Sequence, residues 1–245
     1  MDNGCGEGTF LSGRIRTVAA TGSTNADMLA LASTGLEEGV WLRAERQTSG
    51  RGRQGRTWES PPGNLYASTL VRLRSSDPPA ATLALVAAVA LEEALSAYMP
   101  GAASLKWPND LLIDGAKVSG ILLERSQNAV VIGIGVNLAH HPSQTDRLAT
   151  SLAAYNVAVD PADFMETLDE AFSRWLACWR GEGVEVVRRR WVDRAHPAGT
   201  QLTARLPDGA AVEGLFGGLD REGALILRLA DGTRRVIHAG DVFLL

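Results

Sequence analysis

The chain has 245 residues, 45% of them apolar and 21% charged, with 24 basic against 28 acidic side chains and a formal net charge of −4. That composition leaves room for one medium catalytic domain plus a small appendage, is too apolar for disorder, and supplies no global positive field to draw nucleic acid. Any recognition of phosphate must therefore be local.

Cys5 and Cys178 are the two cysteines, far apart, and they can build neither a disulfide framework nor a cysteine zinc site. The N-terminus lacks the basic-then-apolar run of an export signal. The apolar stretch from Pro78 to Leu91 falls short of the ~18 residues that span a bilayer. A soluble protein of the reducing cytoplasm is expected.

Residues 1–12 read as a flexible leader rich in glycine. Ser23-Thr24-Asn25 is a helix-start signal, because each side chain can accept from exposed backbone N–H groups, and the helix should run to about Ala32. Strand-like runs at Val40–Thr48 and Leu65–Leu73 flank a loop of glycine and arginine. Asp77 can cap the next helix, Pro78 and Pro79 suit its first turn, and Ala80–Tyr98 continues it until Pro100. Leu105–Trp107 and Leu111–Ile113 look extended, Asp114-Gly115 signals a hairpin turn, and Lys117–Glu124 returns as the partner strand. Val130–Leu138 is a further strand, whose Gly133 and Gly135 permit close backbone approach. Phe164, Leu168, Ala171, Trp175 and Trp179 step by three or four residues and mark a helix with one buried stripe; Val184–Ala195 is a shorter one. After His196-Pro197 helical periodicity stops. Turns at Pro207-Asp208-Gly209, Gly217-Gly218, Glu222-Gly223 and Asp231-Gly232 divide the remainder into short strands that fit a small β-barrel.

Three segments carry chemistry. In Gly50-Arg51-Gly52-Arg53-Gln54-Gly55-Arg56, glycines let backbone N–H groups approach a ligand while arginines offer forked donors for phosphate or carboxylate. The same composition also suits a solvated loop tip. Gly50, Gly52 and Gly55 spell G-x-G-x-x-G, but a dinucleotide loop must open a helix at once, and Thr57–Gly63, with Pro61 and Pro62, cannot. Lys106-Trp107-Pro108-Asn109-Asp110 brackets an apolar strand with polar groups, and Lys117 follows the turn, either as a site residue or as an exposed lysine on an edge strand. In Gly133-Ile134-Gly135-Val136-Asn137 the small residues leave space over a sheet, and Asn137 offers the donor and acceptor that a purine edge requires.

Together these segments resemble a bacterial biotin–protein ligase, over nearly the whole chain from about Gly13 to Leu245. The resemblance is carried by Ser23-Thr24-Asn25, by Gln47 with the loop at 50–56, by Lys106–Asp110, by Lys117 with Gly120-Ile121-Leu122, and by Gly133–Asn137, in the family's order and approximate spacing. Gly217-Gly218-Leu219-Asp220 and Asp231-Gly232 are similar to the family's C-terminal SH3-like domain. Gln54 is a departure, since many relatives have arginine there. Twelve leader residues are too few for the helix-turn-helix repressor domain of some members, so the stand-alone type is expected, without a DNA or membrane role.

The resemblance implies an α+β fold, with a mixed-sheet catalytic domain over 13–195 and an SH3-like β-barrel over 196–245. It implies that biotin reacts with ATP, accompanied by Mg²⁺, to give biotinoyl-AMP and pyrophosphate. Biotin then passes to a lysine of the biotin carboxyl carrier protein of acetyl-CoA carboxylase, and AMP leaves. By resemblance, Arg51 and Arg53 reach the phosphates and the biotin carboxylate, and Lys117 bridges carboxylate and α-phosphate. Ser23, Thr24, Asn25 and Gln47 pair the ureido ring, while Gly50, Gly52 and Gly120 admit the ligand; plain helix capping remains open for Ser23–Asn25. Arg56, Trp58, Lys106, Asn109 and Asn137 are assigned to the nucleotide, although Trp58 can equally be ordinary packing. Asp110 is expected to steer the incoming lysine. No protein metal cage is expected, and relatives often form homodimers. A lipoate-type ligase shares the adenylation logic, and a nucleic-acid module would explain the arginines but not the acidic net charge or Lys117.

Overall fold

The computed structural model describes residues 9–12, 14–143 and 148–244. Residues 1–8 of the expected leader, with Cys5, lie outside the described residues. Thr9–Ser12 form a strand, β1, paired antiparallel with the next, where a leader was expected. In chain order β1 is followed by β2 (Ile15–Thr21), α1 (Thr24–Ser33), β3 (Trp41–Gln47) and β4 (Leu65–Arg72). Then come α2 (Leu83–Ser96), β5 (Ala103–Lys106), β6 (Asp110–Ile113), β7 (Ala116–Ser126) and β8 (Ala129–Val136). Helices α3 (Pro161–Gly181) and α4 (Val184–Asp193) precede β9 (Gln201–Arg205), β10 (Ala211–Leu219), β11 (Leu225–Arg228), β12 (Arg234–Ile237) and β13 (Asp241–Leu244). The expected α+β class is what forms. No helix among the described residues is long and apolar enough to cross a membrane.

The chain packs as two compact units, Met1–Ser75 with Ala116–Thr167 and Ser76–Gly115 with Leu168–Leu245. In the first unit the strand order is β1-β2-β3-β4-β8-β7, with β2 and β3 parallel and the other pairs antiparallel. Helix α1 lies on one face of this sheet, where Met28 and Ala32, one turn apart, pack against Leu42, Leu70, Ala129 and Val131. Side chains alternate along strands, so the same face continues through Ser68 and Tyr66 of β4, Gly133 and Gly135 of β8, and Gly120 and Leu122 of β7. The register sets Ser68 beside Gly133 beside Leu122, and Tyr66 beside Gly135 beside Gly120. Beyond the N-terminus of α1 the sheet is thus bare of side chains at three positions. Trp58 and Lys117 lie against that strip.

The second unit is built on α2, whose apolar side chains are buried nearly all round. Its fully buried Glu92 accepts from Arg190 Nη2 at 3.0 Å and has Arg194 Nε at 3.6 Å, which ties α2 to α4. Asp77 does not cap α2 as expected: a 3₁₀ turn at Ala80–Thr82 leads into the helix, and Asp77 pairs with Arg180 Nε at 3.2 Å. A strong partner from distant sequence outcompeted the local cap. Asp114 and Gly115 both take positive φ, 49° and 78°, the left-handed pair that Asp-Gly supplies in a tight turn. The C-terminal strands form one antiparallel sheet in the order β12-β11-β10-β9-β13. Within this unit Trp191 of α4 meets Phe216 of β10 at 6.5 Å between ring centroids.

Candidate active site

Ser23 precedes α1 in extended conformation, and its side chain makes no capping bond. The helix start was correctly located, but its polar residues serve the sheet face. The Thr24 backbone N–H donates to Gln47 Oε1 at 2.9 Å, and the Thr24 hydroxyl lies 3.1 Å from the same oxygen. Gln47 Nε2 donates to Ser60 Oγ at 3.0 Å, and the Ser60 hydroxyl donates to the Trp58 carbonyl at 3.0 Å. Ser68, fully buried, has its Oγ 2.7 Å from Thr24 Oγ1 and 2.6 Å from Asn25 Oδ1. Asn25 Nδ2 donates to Glu124 Oε2 at 2.8 Å and more weakly to the Leu122 carbonyl at 3.4 Å. Glu124 Oε1 lies 3.9 Å from Arg51 Nη1. One chain of polar contacts therefore joins Thr24, Asn25, Gln47 and Arg51, and includes Ser60, Ser68 and Glu124, which the sequence reading did not single out.

The bare strip of sheet is covered by Trp58. A Cβ at Gly135 would sit 2.6 Å from the Trp58 ring, and one at Gly120 would sit 3.2 Å from the ring and 3.0 Å from Lys117 Nζ. A Cβ at Gly133 would overlap the Asn25 amide, and one at Gly50 would overlap the Trp58 carbonyl. These glycines are thus required by close approach. The Lys117 ammonium lies 5.4 Å from the Trp58 ring centroid, a cation–π distance. The Trp58 indole nitrogen is buried and has no hydrogen-bond partner among the described residues. Tyr66 fixes the segment beyond: its buried hydroxyl donates to the Pro61 carbonyl at 2.7 Å, and burial pushes its phenol above the ordinary range.

The arginine loop is a compact hairpin. Trp58 N–H donates to the Gly50 carbonyl at 3.0 Å and Gly52 N–H to the Arg56 carbonyl at 2.7 Å. Gln54, with φ 57°, and Gly55, with φ 73°, turn the tip. Gln54 Oε1 also accepts from Arg56 Nη2 at 2.9 Å, so the residue that departs from the family pattern orients a guanidinium. Arg51 and Arg56 are exposed and Arg53 half-buried.

Asn137 is buried, and its Nδ2 donates to the Thr150 carbonyl at 3.0 Å, which occupies a donor that the purine reading would use. Beside it in the chain, Leu138, Ala139 and His140 all donate backbone N–H to Asn64 Oδ1, at 3.0, 2.9 and 2.9 Å. Asn64 was not anticipated; its only local signal is the Gly63 before it, at φ 98°. In the second unit, Lys106 Nζ pairs with Asp110 Oδ2 at 3.1 Å and donates to the Val242 carbonyl at 3.1 Å. Both side chains are buried, so neither is a solvated surface charge. Asn109 follows this strand as a half-buried turn residue. Among the described residues no cluster of His, Cys, Asp or Glu could hold a metal ion.

Residues 18–137 match the model of the biotin/lipoate A/B protein ligase family, and residues 199–245 match the biotin protein ligase C-terminal domain. The chain is 42% identical to a biotin–[acetyl-CoA-carboxylase] ligase of Paracoccus denitrificans, over 92% of this chain and 98% of that protein. It belongs to the biotin protein ligase family. A ligase of the same description from Mycobacterium tuberculosis is 36% identical over 94% of this chain and 88% of its own length. The fold matches the biotin protein ligase of Aquifex aeolicus in complex with biotin and ATP, with a TM-score of 0.85, 25% identity, and coverage of 96% of this chain and 100% of that one. This biotin protein ligase is therefore an enzyme, and the polar corner, the bare sheet strip and the arginine hairpin are parts of a ligase.

Proposed function

We propose that this ligase activates biotin with Mg-ATP and transfers it to a lysine of the biotin carboxyl carrier protein of acetyl-CoA carboxylase, acting in the cytoplasm. The observation that carries the reading is the juxtaposition of a buried polar corner, Thr24–Gln47–Ser68–Asn25, with a side-chain-free strip walled by Trp58 and Lys117. A neutral ureido ring on an apolar chain asks for that pairing. In the first step a biotin carboxylate oxygen attacks the α-phosphorus of ATP and pyrophosphate leaves. Anions must approach one another there, so the role falls to the Lys117 ammonium and the Arg51 and Arg53 guanidiniums. Arg56 and Asn137 are proposed nucleotide contacts, although Asn137 reaches a ligand only through the atoms that Thr150 leaves open.

In the second step the carrier lysine, having lost its proton, attacks the acyl carbon and AMP departs. Asp110 is proposed to steer that amine, with Lys106 holding the carboxylate in place and Asn109 contacting the nucleotide. Residues 13–195 are proposed to carry the adenylation chemistry and 196–245 to support the carrier reaction. The test is ATP–pyrophosphate exchange with biotin, with lipoate and with no acid. Exchange that depends on biotin supports the reading; dependence on lipoate, or none on either acid, overturns it.

A further inference from the structure

The strand β7 carries a carboxylate, Glu124, that no step of the reaction uses, and it points at the amide of Asn25. We propose that Glu124 is a positioning residue that fixes the donor and acceptor directions of the ureido-binding corner through Asn25 and Ser68. The inference deepens the biotin reading above and rests on it.

The reason lies in what each group can do. An ionised carboxylate only accepts, so Glu124 Oε2, 2.8 Å away, obliges Asn25 to present its NH₂. The Leu122 carbonyl, at 3.4 Å, asks for the same orientation but weakly. Asn25 Oδ1 is then turned to Ser68 Oγ at 2.6 Å, and the single hydroxyl proton of Ser68 is committed to it. With that proton used, Ser68 can only accept from Thr24 Oγ1 at 2.7 Å, so the Thr24 hydroxyl proton turns to Ser68, and Gln47 Oε1 keeps the Thr24 backbone N–H as its donor. Proton directions along the corner are thus set from the Glu124 end. Without the carboxylate the Asn25 amide is held only by Leu122, and its flip would turn Ser68 into a donor to Thr24. A ureido ring presents two N–H donors and one carbonyl, so it distinguishes these two states. Ser68 and Asn25 are buried, which makes a mismatched polarity costly, since water cannot repair it.

Glu124 also lies near Arg51, at 3.9 Å, but Arg51 is about half exposed and the contact is long, so its electrostatic contribution is small. The experiment separates the two roles by exchanging the charged and neutral partners. Biotin binding is measured by calorimetry on wild type, Glu124→Ala, Asn25→Asp and the double variant Asn25→Asp with Glu124→Gln, each checked by thermal melting. Glu124→Ala should weaken biotin binding roughly tenfold, the scale of losing a charged hydrogen bond. Asn25→Asp sets two carboxylates face to face and should weaken it at least as much. In the double variant the amide introduced on β7 donates and the carboxylate introduced on α1 accepts from Ser68. The repulsion is gone and the donor–acceptor order from β7 to Ser68 is whole, so affinity should recover to within roughly threefold of wild type. An unchanged Glu124→Ala, or a double variant no better than Asn25→Asp, would overturn the proposal. Should Glu124→Ala fail to fold, the comparison of Asn25→Asp with the double variant decides alone. Wild type that does not bind biotin would instead indict the functional reading.

Discussion

At the scale of single residues, the proposed site rests on positive charge where anions would meet and on glycines that let a ring lie flat against the sheet. Lys117 supplies the first. Its ammonium sits against Trp58 and over Gly120. Lys117→Ala should lower biotin-dependent pyrophosphate exchange by about 10²–10³ while leaving the fold intact, the usual effect of losing a preorganised group at developing charge. Exchange within roughly threefold of wild type would remove Lys117 from the chemistry. Gly135 supplies the second. Its Cβ would lie 2.6 Å from the Trp58 ring, so Gly135→Ala must push the indole off the strip. Trp58 fluorescence should change and biotin affinity should fall by about tenfold or more, with thermal stability little altered, because the residue lies at the site rather than in the core. Unchanged binding would mean that Trp58 is ordinary packing.

Elements were legible where their cause is local. The Asp114-Gly115 turn and the buried stripe of α3, with Phe164, Leu168, Ala171 and Trp179, follow from backbone freedom and periodicity along a few residues, whereas the start of α1 was marked by cap-type residues that make no cap. What stayed illegible depends on register or on distant partners. Ser68 and Glu124 matter only because β4, β8 and β7 align them with Gly133 and Val131, and Asp77 left its cap for Arg180. Of the residues expected at the site, Thr24, Asn25, Gln47 and Arg51 share one chain of polar contacts and Lys117 lies against Trp58, but Asn25 has both ends of its amide engaged by protein rather than open to a ligand. The 50–58 hairpin, an element held mainly by its own backbone bonds, exposes trypsin sites at Arg51 and Arg56. Trypsin should nick the free enzyme there and be strongly slowed by biotin plus Mg-ATP, as the guanidiniums gain anionic partners. Equal cutting with and without both ligands would contradict a hairpin that responds to substrate.

For the whole molecule, one buried histidine links stability to pH. His196 is held neutral, its pKa pulled down to about 4 by burial first and by the nearby Lys106 charge second. The unfolded chain binds the proton more readily, near pH 6.5, so His196 costs nothing above that pH and destabilises the fold progressively as pH drops from about 6.5 to about 4. His196→Gln should flatten this part of the stability curve by about 2 kcal/mol, read from urea unfolding at pH 7.5 and pH 5. The same slope in both proteins would show that the imidazole is not the cause. The central claim, that a polar corner and a bare strip of sheet hold biotin for transfer to protein, is tested most directly by intact mass spectrometry. Purified enzyme is incubated with biotin, Mg-ATP and the apo carrier domain of an acetyl-CoA carboxylase. The carrier should gain a single biotinoyl group on one lysine, with one AMP formed for each group transferred. A carrier that stays unmodified, or that takes a lipoyl group in preference when both acids are offered, would contradict the account.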